Sequence, residues 1–335
     1  MRAKHSSKDL TASIVLYGHT AKEMAQLFLH LSKDVYRGDW AVVDNGGAAE
    51  AYALAGSLGA LCLSPKRNLG FGAAHNLALR ELAPLGRYHL FVNPDIRMEE
   101  GVVSELAAFM EAHPDVGSVM PRVLYPDGSE QRLCKRLPTA FDLFLRRFLG
   151  EIGKAVFPVR WSLYEMRDVD LTVTREVPSL SGCFMFVRTA ALDAVGVFDE
   201  RYFLYMEDLD LCRRIGSQYR TVFFPNVAVH HGYAKGSYAN PRLLRYHLTS
   251  AIHYFNKWGW FRDPERKQLN QRTAPISERQ NDIQDIHANH RFQFRAVRLD
   301  LTNFPDLPLR EEMVDPQPVE DGVDGVSLPL ERLCG

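Results

Sequence analysis

The sequence predicts an α/β fold, with a mostly parallel central sheet flanked by helices and a helical C-terminal extension. Three observations lead there. Short apolar runs alternate with segments of helical spacing through the N-terminal third of the chain. The ends of those runs are polar: Tyr17-Gly18, Asp44-Asn45 and Asn93-Pro94-Asp95. Further on, Glu207, Asp208 and Asp210 interrupt an aromatic and aliphatic stretch that holds Tyr202, Phe203, Tyr205 and Met206. A buried carboxylate is costly without a cation, a proton or hydrogen-bond donors, so three acids in such surroundings point to a site.

Ser13 to Tyr17 reads as a buried strand, and Ala21 to Leu31 follows with Met24, Leu27, Phe28 and Leu31 at helical spacing. Trp40 to Asp44 is the second strand. The cycle then repeats: Ala49 to Leu58 as helix, Ala60 to Leu63 as strand, Gly72 to Leu82 as helix, His89 to Val92 as strand. This alternation predicts a parallel sheet covered on both faces, with ligands at the carboxyl ends of its strands. Gly101 to His113 reads as a helix closed by Pro114, then Val119 to Leu124 as a strand and Tyr125 to Gly128 as a turn. The expected organisation is a polar tail over 1–10, a catalytic domain over 11–240 and a helical extension over 241–275. A polar, acidic segment over 276–335 is too poor in apolar residues to build a core. Within the domain, 138–165 is an apolar and basic helical insert. A short strand or helix is expected near Phe292 to Leu299.

Composition narrows the function. The 335 residues carry 46% apolar and 24% charged side chains, ordinary for a globular protein, and a net charge of −1. No global basic field exists to recruit nucleic acid, which is not expected as a partner. The five cysteines are scattered, without the spacing of a zinc knuckle or a disulfide framework. The polar start and the absence of a membrane-spanning apolar run lead us to expect a cytoplasmic protein.

Each motif has a chemical use. Asp44, at a strand end, can accept a hydrogen bond from a base or ribose, or simply cap the next helix. Asn68-Leu69-Gly70-Phe71-Gly72-Ala73-Ala74-His75-Asn76 joins a strand to a helix, and its glycines allow close approach of a ligand to the backbone. As a dinucleotide fingerprint it fails, because His75 stands where the third glycine belongs and the motif follows the third strand. Asp95, beside a diphosphate, would suit Mg²⁺ or Mn²⁺, which combine protein and phosphate oxygens. His230 and His231 end another apolar run, and one imidazole there could complete such a site.

In order along the chain, these segments resemble the family 2 glycosyltransferases, specifically the rhamnosyltransferase-like branch. The matching text comprises Ser13-Ile14-Val15 with Tyr17, Val43-Asp44-Asn45, Asn68-x-Gly70-Phe71-Gly72 with Asn76, and Asn93-Pro94-Asp95. It continues through Ser181-Gly182-Cys183-Phe184-Met185, Val195 to Glu200, Glu207-Asp208-Leu209-Asp210-Leu211 and His230-x-Gly232. The resemblance implies a GT-A fold, a nucleotide-diphosphate sugar donor, a divalent metal (Mg²⁺ or Mn²⁺) and inversion at the anomeric carbon. It makes Asp208 the general base, beside Glu207, and gives the metal Asp95 and His230. It lines the donor pocket with Tyr17, Asp44, Asn45, Asn68, Gly70, Gly72, Asn76, Asn93, Asp95, Ser181 and Gly182. The expected donor is dTDP-rhamnose, with UDP-galactose, UDP-GlcNAc or GDP-mannose as alternatives. The acceptor is expected to be a glycan or a lipid-linked oligosaccharide of a bacterial surface polysaccharide such as O-antigen. Gly18, where many relatives carry Asn, and Gly46-Gly47 depart from the pattern. A catalytically silent nucleotide-sugar-binding scaffold is the competing class, against which the retained acids argue. The inserts Phe141 to Trp161 and Leu243 to Trp260 interleave rings with Arg and Lys; such faces either lie on the inner surface of the cytoplasmic membrane or simply pack against the catalytic core.

Overall fold

The computed structural model describes residues 9–35, 39–232 and 240–273. The element expected near Phe292 to Leu299 and the segment 276–335 lie outside the described residues. From the N-terminus, β1 (Leu10–Leu16) leads to α1 (Ala21–Asp34), whose start is fixed by a capping box between Thr20 and Glu23. Next come β2 (Trp40–Asp44), α2 (Ala49–Ser57), β3 (Leu61–Leu63), α3 (Phe71–Leu82) and β4 (Tyr88–Val92). The short strand β5 (Ile96–Met98) precedes α4 (Val102–Ala112) and β6 (Val116–Leu124). The insert is helical throughout: α5 (Ala140–Phe144), a π-helical turn (Leu145–Leu149), α6 (Gly150–Val156) and α7 (Pro158–Tyr164). Then follow β7 (Arg175–Glu176), β8 (Phe184–Arg188), α8 (Thr189–Val195), α9 (Glu207–Gly216) and β9 (Arg220–His231). The described chain closes with α10 (Pro241–Trp258) and α11 (Pro264–Asn270). No helix among the described residues is long and apolar enough to cross a membrane.

The sheet is mixed, in the order β3-β2-β1-β4-β8-β6-β9-β5, with β7 also paired to β9. The alternation of elements holds the first four strands parallel, and β6 runs parallel to β9. Between these groups β8 runs antiparallel to both β4 and β6. That reversal decides where the chemistry can gather. The carboxyl ends of β1, β2, β4 and β9 share one edge with the amino end of β8, so the segment before β8 joins the segments after the other strands. Register makes this concrete: Val92 faces Phe184, Asn93 N–H donates to Cys183 O at 2.8 Å, and Ile96 of β5 faces His231 of β9.

Beneath that edge the core carries a chain of polar side chains between β1, β4 and α3. Ser13 Oγ lies 2.7 Å from His75 Nδ1 and 2.8 Å from His89 Nε2, and His89 Nδ1 lies 2.8 Å from Thr11 Oγ1. All four residues are buried. Burial pushes His75 down to about 3, and burial followed by the neighbouring His75 pushes His89 well below the ordinary 6.5. Both rings are therefore neutral when folded and bind protons near 6.5 when unfolded.

The C-terminal helices attach through a buried ion pair. Arg213, on α9, donates to Asp263 Oδ2 at 2.7 Å and Oδ1 at 2.5 Å, and to Glu265 at 3.0 Å, with Trp258 stacked 4.0 Å from its guanidinium carbon. Asn270, on α11, brackets Leu137 at the start of the insert with bonds of 2.7 and 3.0 Å. One short helix thus ties α9 to the insert.

Two outcomes are expected. The two histidines stabilise the fold fully above pH 6.5, and each withdraws about 1.4 kcal/mol per unit as pH falls below it. Thermal melts between pH 7 and 5 should fall steadily, and a flat profile would contradict two neutral buried rings. Arg213→Ala should cost about 3–5 kcal/mol in urea unfolding, because it strands the buried Asp263. A loss within about 0.5 kcal/mol, typical of a surface change, would count against that clamp.

Candidate active site

On the β1–β2 side, Tyr17 is 47% exposed at the end of β1. Asp44 Oδ1 accepts from Gly46 N–H at 2.8 Å, which turns the chain sharply after β2. Asn45 is buried and brackets the next loop: its Nδ2 donates to Gly70 O at 2.8 Å and its Oδ1 accepts from Leu69 N–H at 3.2 Å. Asn68 Oδ1 accepts from Gly70 N–H at 2.8 Å.

The loop of 68–76 differs from expectation in two ways. A Cβ on Gly70 would lie 2.1 Å from the Phe203 carbonyl oxygen, and one on Gly72 would lie 2.9 Å from the Phe198 side chain. The space those glycines leave is filled by the acid-bearing segment of the same chain, so it does not admit a ligand. Phe71 N–H, at the start of α3, donates to that same Phe203 oxygen at 2.9 Å. Asn76 was expected in the donor pocket. It is buried instead, donating to Phe198 O at 2.8 Å and Glu200 at 3.0 Å and accepting from Phe198 N–H at 3.1 Å. Its polar atoms are committed to anchoring the loop before α9.

In the centre, Asn93 and Asp95 leave β4. Asp95 Oδ1 lies 3.2 Å from His231 Nε2, and Gly232 N–H donates to Asp95 O at 3.0 Å. The imidazole beside Asp95 therefore belongs to His231 and not to His230, whose Nδ1 binds Tyr125 O at 3.2 Å. Neighbours on a strand face opposite ways, so only one of the pair can reach Asp95. Gln131 settles the tautomer. Its amide N–H donates to His231 O at 2.8 Å, which turns its oxygen to His231 Nδ1 at 3.0 Å, so that nitrogen carries the proton. The Nε2 lone pair then faces a carboxylate oxygen, an arrangement that calls for a proton or a cation between them. Among the described residues no group of three or more His, Cys, Asp or Glu is arranged to hold a metal. Asp95 and His231 supply two donors and a Gln131-oriented imidazole, which fits a divalent ion whose other ligands come from a diphosphate. His19, which sequence reasoning passed over, lies nearby. Burial lowers its pKa, and the fields of Glu23 and Asp95 oppose that shift.

Opposite stand Ser181, Gly182 and the first turn of α9. Tyr205 and Met206 enter that helix at φ of 71° and 69°, a left-handed conformation costly for side chains of their size. The kink delivers Asp208 to Gly182, whose N–H donates to Oδ2 at 2.8 Å, while Leu209 N–H donates to Oδ1 at 2.7 Å. Burial raises Asp208's pKa against the pull of those amides. Glu207 is buried with Oε2 unpartnered, and burial followed by the Asp208 charge raises its pKa far above the carboxylate range. The pair therefore holds one charge, on Asp208. Cys183 lies within the fields of both Asp95 and Asp208, so both acids stand near it. Asp210, the third acid of the motif, turns away from the edge. It is bound by Arg214 at 2.9 Å, Lys257 at 2.8 Å and Trp258 Nε1 at 2.8 Å.

No family model matches the chain. The N-acetylglucosaminyl-diphospho-decaprenol L-rhamnosyltransferase of Mycobacterium tuberculosis is 29% identical over 216 residues, covering 60% of this chain and 69% of that protein. The rhamnosyltransferase WbbL of Escherichia coli is 28% identical over 195 residues, covering 55% and 69%. Among solved structures, GalNAc-T7 with UDP, GalNAc and Mn²⁺ aligns with a TM-score of 0.53 at 12% identity. That alignment covers 76% of this chain and 49% of GalNAc-T7, a likeness of fold. With a GT-A sheet beneath its acidic edge and rhamnosyltransferases as curated relatives, the chain is a glycosyltransferase similar to the family 2, rhamnosyltransferase-like enzymes.

Proposed function

We propose that the protein transfers L-rhamnose, with inversion, from dTDP-rhamnose to a sugar hydroxyl on a lipid-diphosphate carrier during synthesis of a bacterial surface polysaccharide. The observation that carries this reading is Asp208, a carboxylate held by two backbone amides near the same Cys183 that the Asp95–His231 pair approaches. The relatives named above are rhamnosyltransferases, and one is named for a diphospho-decaprenol carrier, which supports both donor sugar and acceptor class.

Inverting transfer needs a base on the face of the donor sugar opposite the leaving diphosphate. Asp208 takes the acceptor proton, and burial sharpens its basicity. Glu207, kept neutral, adds no second charge to compete with it. Gly182 and Leu209 hold the carboxylate in a single orientation. Tyr17 and Asp44 receive the nucleoside, and Ser181-Gly182 borders the sugar. Asp95 and His231 would hold Mg²⁺ or Mn²⁺ at the diphosphate, and the ion would supply charge neutralisation for the leaving group. The enzyme would work at the inner face of the cytoplasmic membrane, where such carriers reside.

Asp208→Asn should reduce kcat by about 10²–10⁴ and leave donor binding intact, the usual cost of losing a general base. Glu207→Gln, which keeps a neutral side chain, should lose far less. Comparable losses in both variants would remove the distinction between them. The acidic limb of the kcat/KM profile should lie above the ordinary aspartate range, since a raised pKa means that activity is lost earlier as pH falls.

Thermal melts with nucleotides test the donor. A ligand at about 100 times its Kd adds about 2.7 kcal/mol to stability. dTDP-rhamnose with Mn²⁺ should raise the midpoint, EDTA should reduce the shift, and Asp95→Asn or His231→Ala should each blunt it. Stronger stabilisation by UDP- or GDP-sugars would replace the proposed donor.

A further inference from the structure

The turn that follows β6 grips both histidines of β9. Its tip closes on itself. Tyr125 N–H donates to Ser129 O at 2.7 Å, and Gly128 N–H donates to Tyr125 O at 2.9 Å. Asp127 Oδ1 accepts from Ser129 N–H at 2.9 Å and from its hydroxyl at 2.6 Å. Gly128 stands at φ of 84°, a conformation that strains any side chain, although a Cβ there would meet nothing within 4 Å. Past the tip the chain returns along β6, with Leu124 paired to Glu130 and Gln131 N–H donating to Val123 O at 2.8 Å. The return buries Gln131 against the end of β9.

Each histidine is held at the same ring nitrogen. A carbonyl oxygen only accepts, so His230 Nδ1 donates to Tyr125 O at 3.2 Å. Gln131 spends its amide nitrogen on the His231 carbonyl, at 2.8 Å, and its oxygen on the His231 Nδ1 proton, at 3.0 Å. One amide therefore fixes the backbone and the ring of the same residue. Both imidazoles are left with Nε2 as the unprotonated nitrogen, and the strand sends them to opposite faces. His230 lies opposite the exposed Arg97, whereas His231 lies opposite the buried Ile96 and meets Asp95. Asp95 is held in turn by the backbone, since Gly232 N–H donates to its carbonyl at 3.0 Å.

We infer that Gln131 is a positioning residue for the divalent ion. Through the Nδ1 bond it keeps the His231 ring in the tautomer and orientation that ligate, and the turn from Tyr125 is the brace that delivers it. The inference rests on the Asp95–His231 metal site proposed above and gives that site its outer support. Gln131 acts on the ion only through the imidazole, and as a neutral amide it orients the ring without adding charge. Partners of this kind are typically worth about 10–100-fold in metal affinity.

Mn²⁺ titration of the full chain with dTDP, and separately with UDP, tests this through the paramagnetic resonance signal of the free ion. It needs neither acceptor nor turnover. Q131M, close to glutamine in size but without the amide, should weaken Mn²⁺ binding about 10–100-fold. Q131E keeps an acceptor for the Nδ1 proton and should recover most of that loss. G128V places a branched side chain at a left-handed position, away from the ion, and should weaken Mn²⁺ in the same direction. Metal-free circular dichroism confirms that each variant is folded. Wild-type affinity in Q131M would overturn the inference. So would equal losses in Q131M and Q131E, which would assign Gln131 to packing alone. If Q131M does not fold, G128V decides, and unchanged affinity there would overturn the brace. A wild type that binds no Mn²⁺ with either nucleotide overturns the metal site and this role with it. Mn²⁺ held with UDP and not with dTDP replaces the proposed donor, and the same variants are then read with UDP.

Discussion

The structure depends on how the first turn of α9 accommodates three carboxylates that its surroundings remove from water. Each is resolved differently. Asp210 receives Arg214, Lys257 and the Trp258 indole, and becomes the pin that fastens α10 to the domain. Asp208 receives only backbone amides, which hold its geometry without cancelling its charge. Glu207 receives no partner at Oε2, and keeps its proton. Helix dipole and desolvation act on all three, so the difference between structural pin and reactive group lies in the partners alone. The left-handed backbone at Tyr205 and Met206 follows from the same constraint, because it sends Asp208 to Gly182 and Asp210 to the opposite side.

The reversed strand β8 supplies the other half of that geometry. A wholly parallel sheet would bring only carboxyl ends to the edge, and Ser181-Gly182 would lie at the far end of its strand. Because β8 runs antiparallel between β4 and β6, Gly182 meets the edge beside Asn93 and offers its amide to Asp208. Gly70 completes the seam from the other side. Only a residue without Cβ admits the Phe203 carbonyl at that distance, so α3 and the acid loop close on one another directly.

Much of this was legible in the sequence. β1, β2 and β4 are short, largely apolar runs buried on both faces, and α1 and α3 between them show a clear apolar stripe. β5 and β7 were invisible, since strands of three and two residues carry no period. The polar strand ends located the edge, but residue type could not tell which members face the cleft. Asn45 and Asn76 look like ligand-binding amides and are brackets for the backbone. His230 and His231 are indistinguishable in sequence, and only the register with β5 and the Gln131 bonds single out the second. Gln131 lies a hundred residues from its histidine in the chain, beyond the reach of any local pattern.

The C-terminal helices complete this logic. α11 holds α9 through Arg213 and Asp263, and holds the entrance of the insert through Asn270 on Leu137 and Arg266 on the Pro138 carbonyl. The helix that carries the base and the element that flanks it therefore share one anchor. Such an arrangement resists relative motion between α9 and the entrance of the insert. Proton abstraction tolerates little error in position, because a misplacement of about 1 Å can cost 10²-fold in rate. A buried ion pair is a poor source of net stability but a strong determinant of geometry. Arg213 thus belongs to the chemistry of the edge, although it lies at the far end of α9.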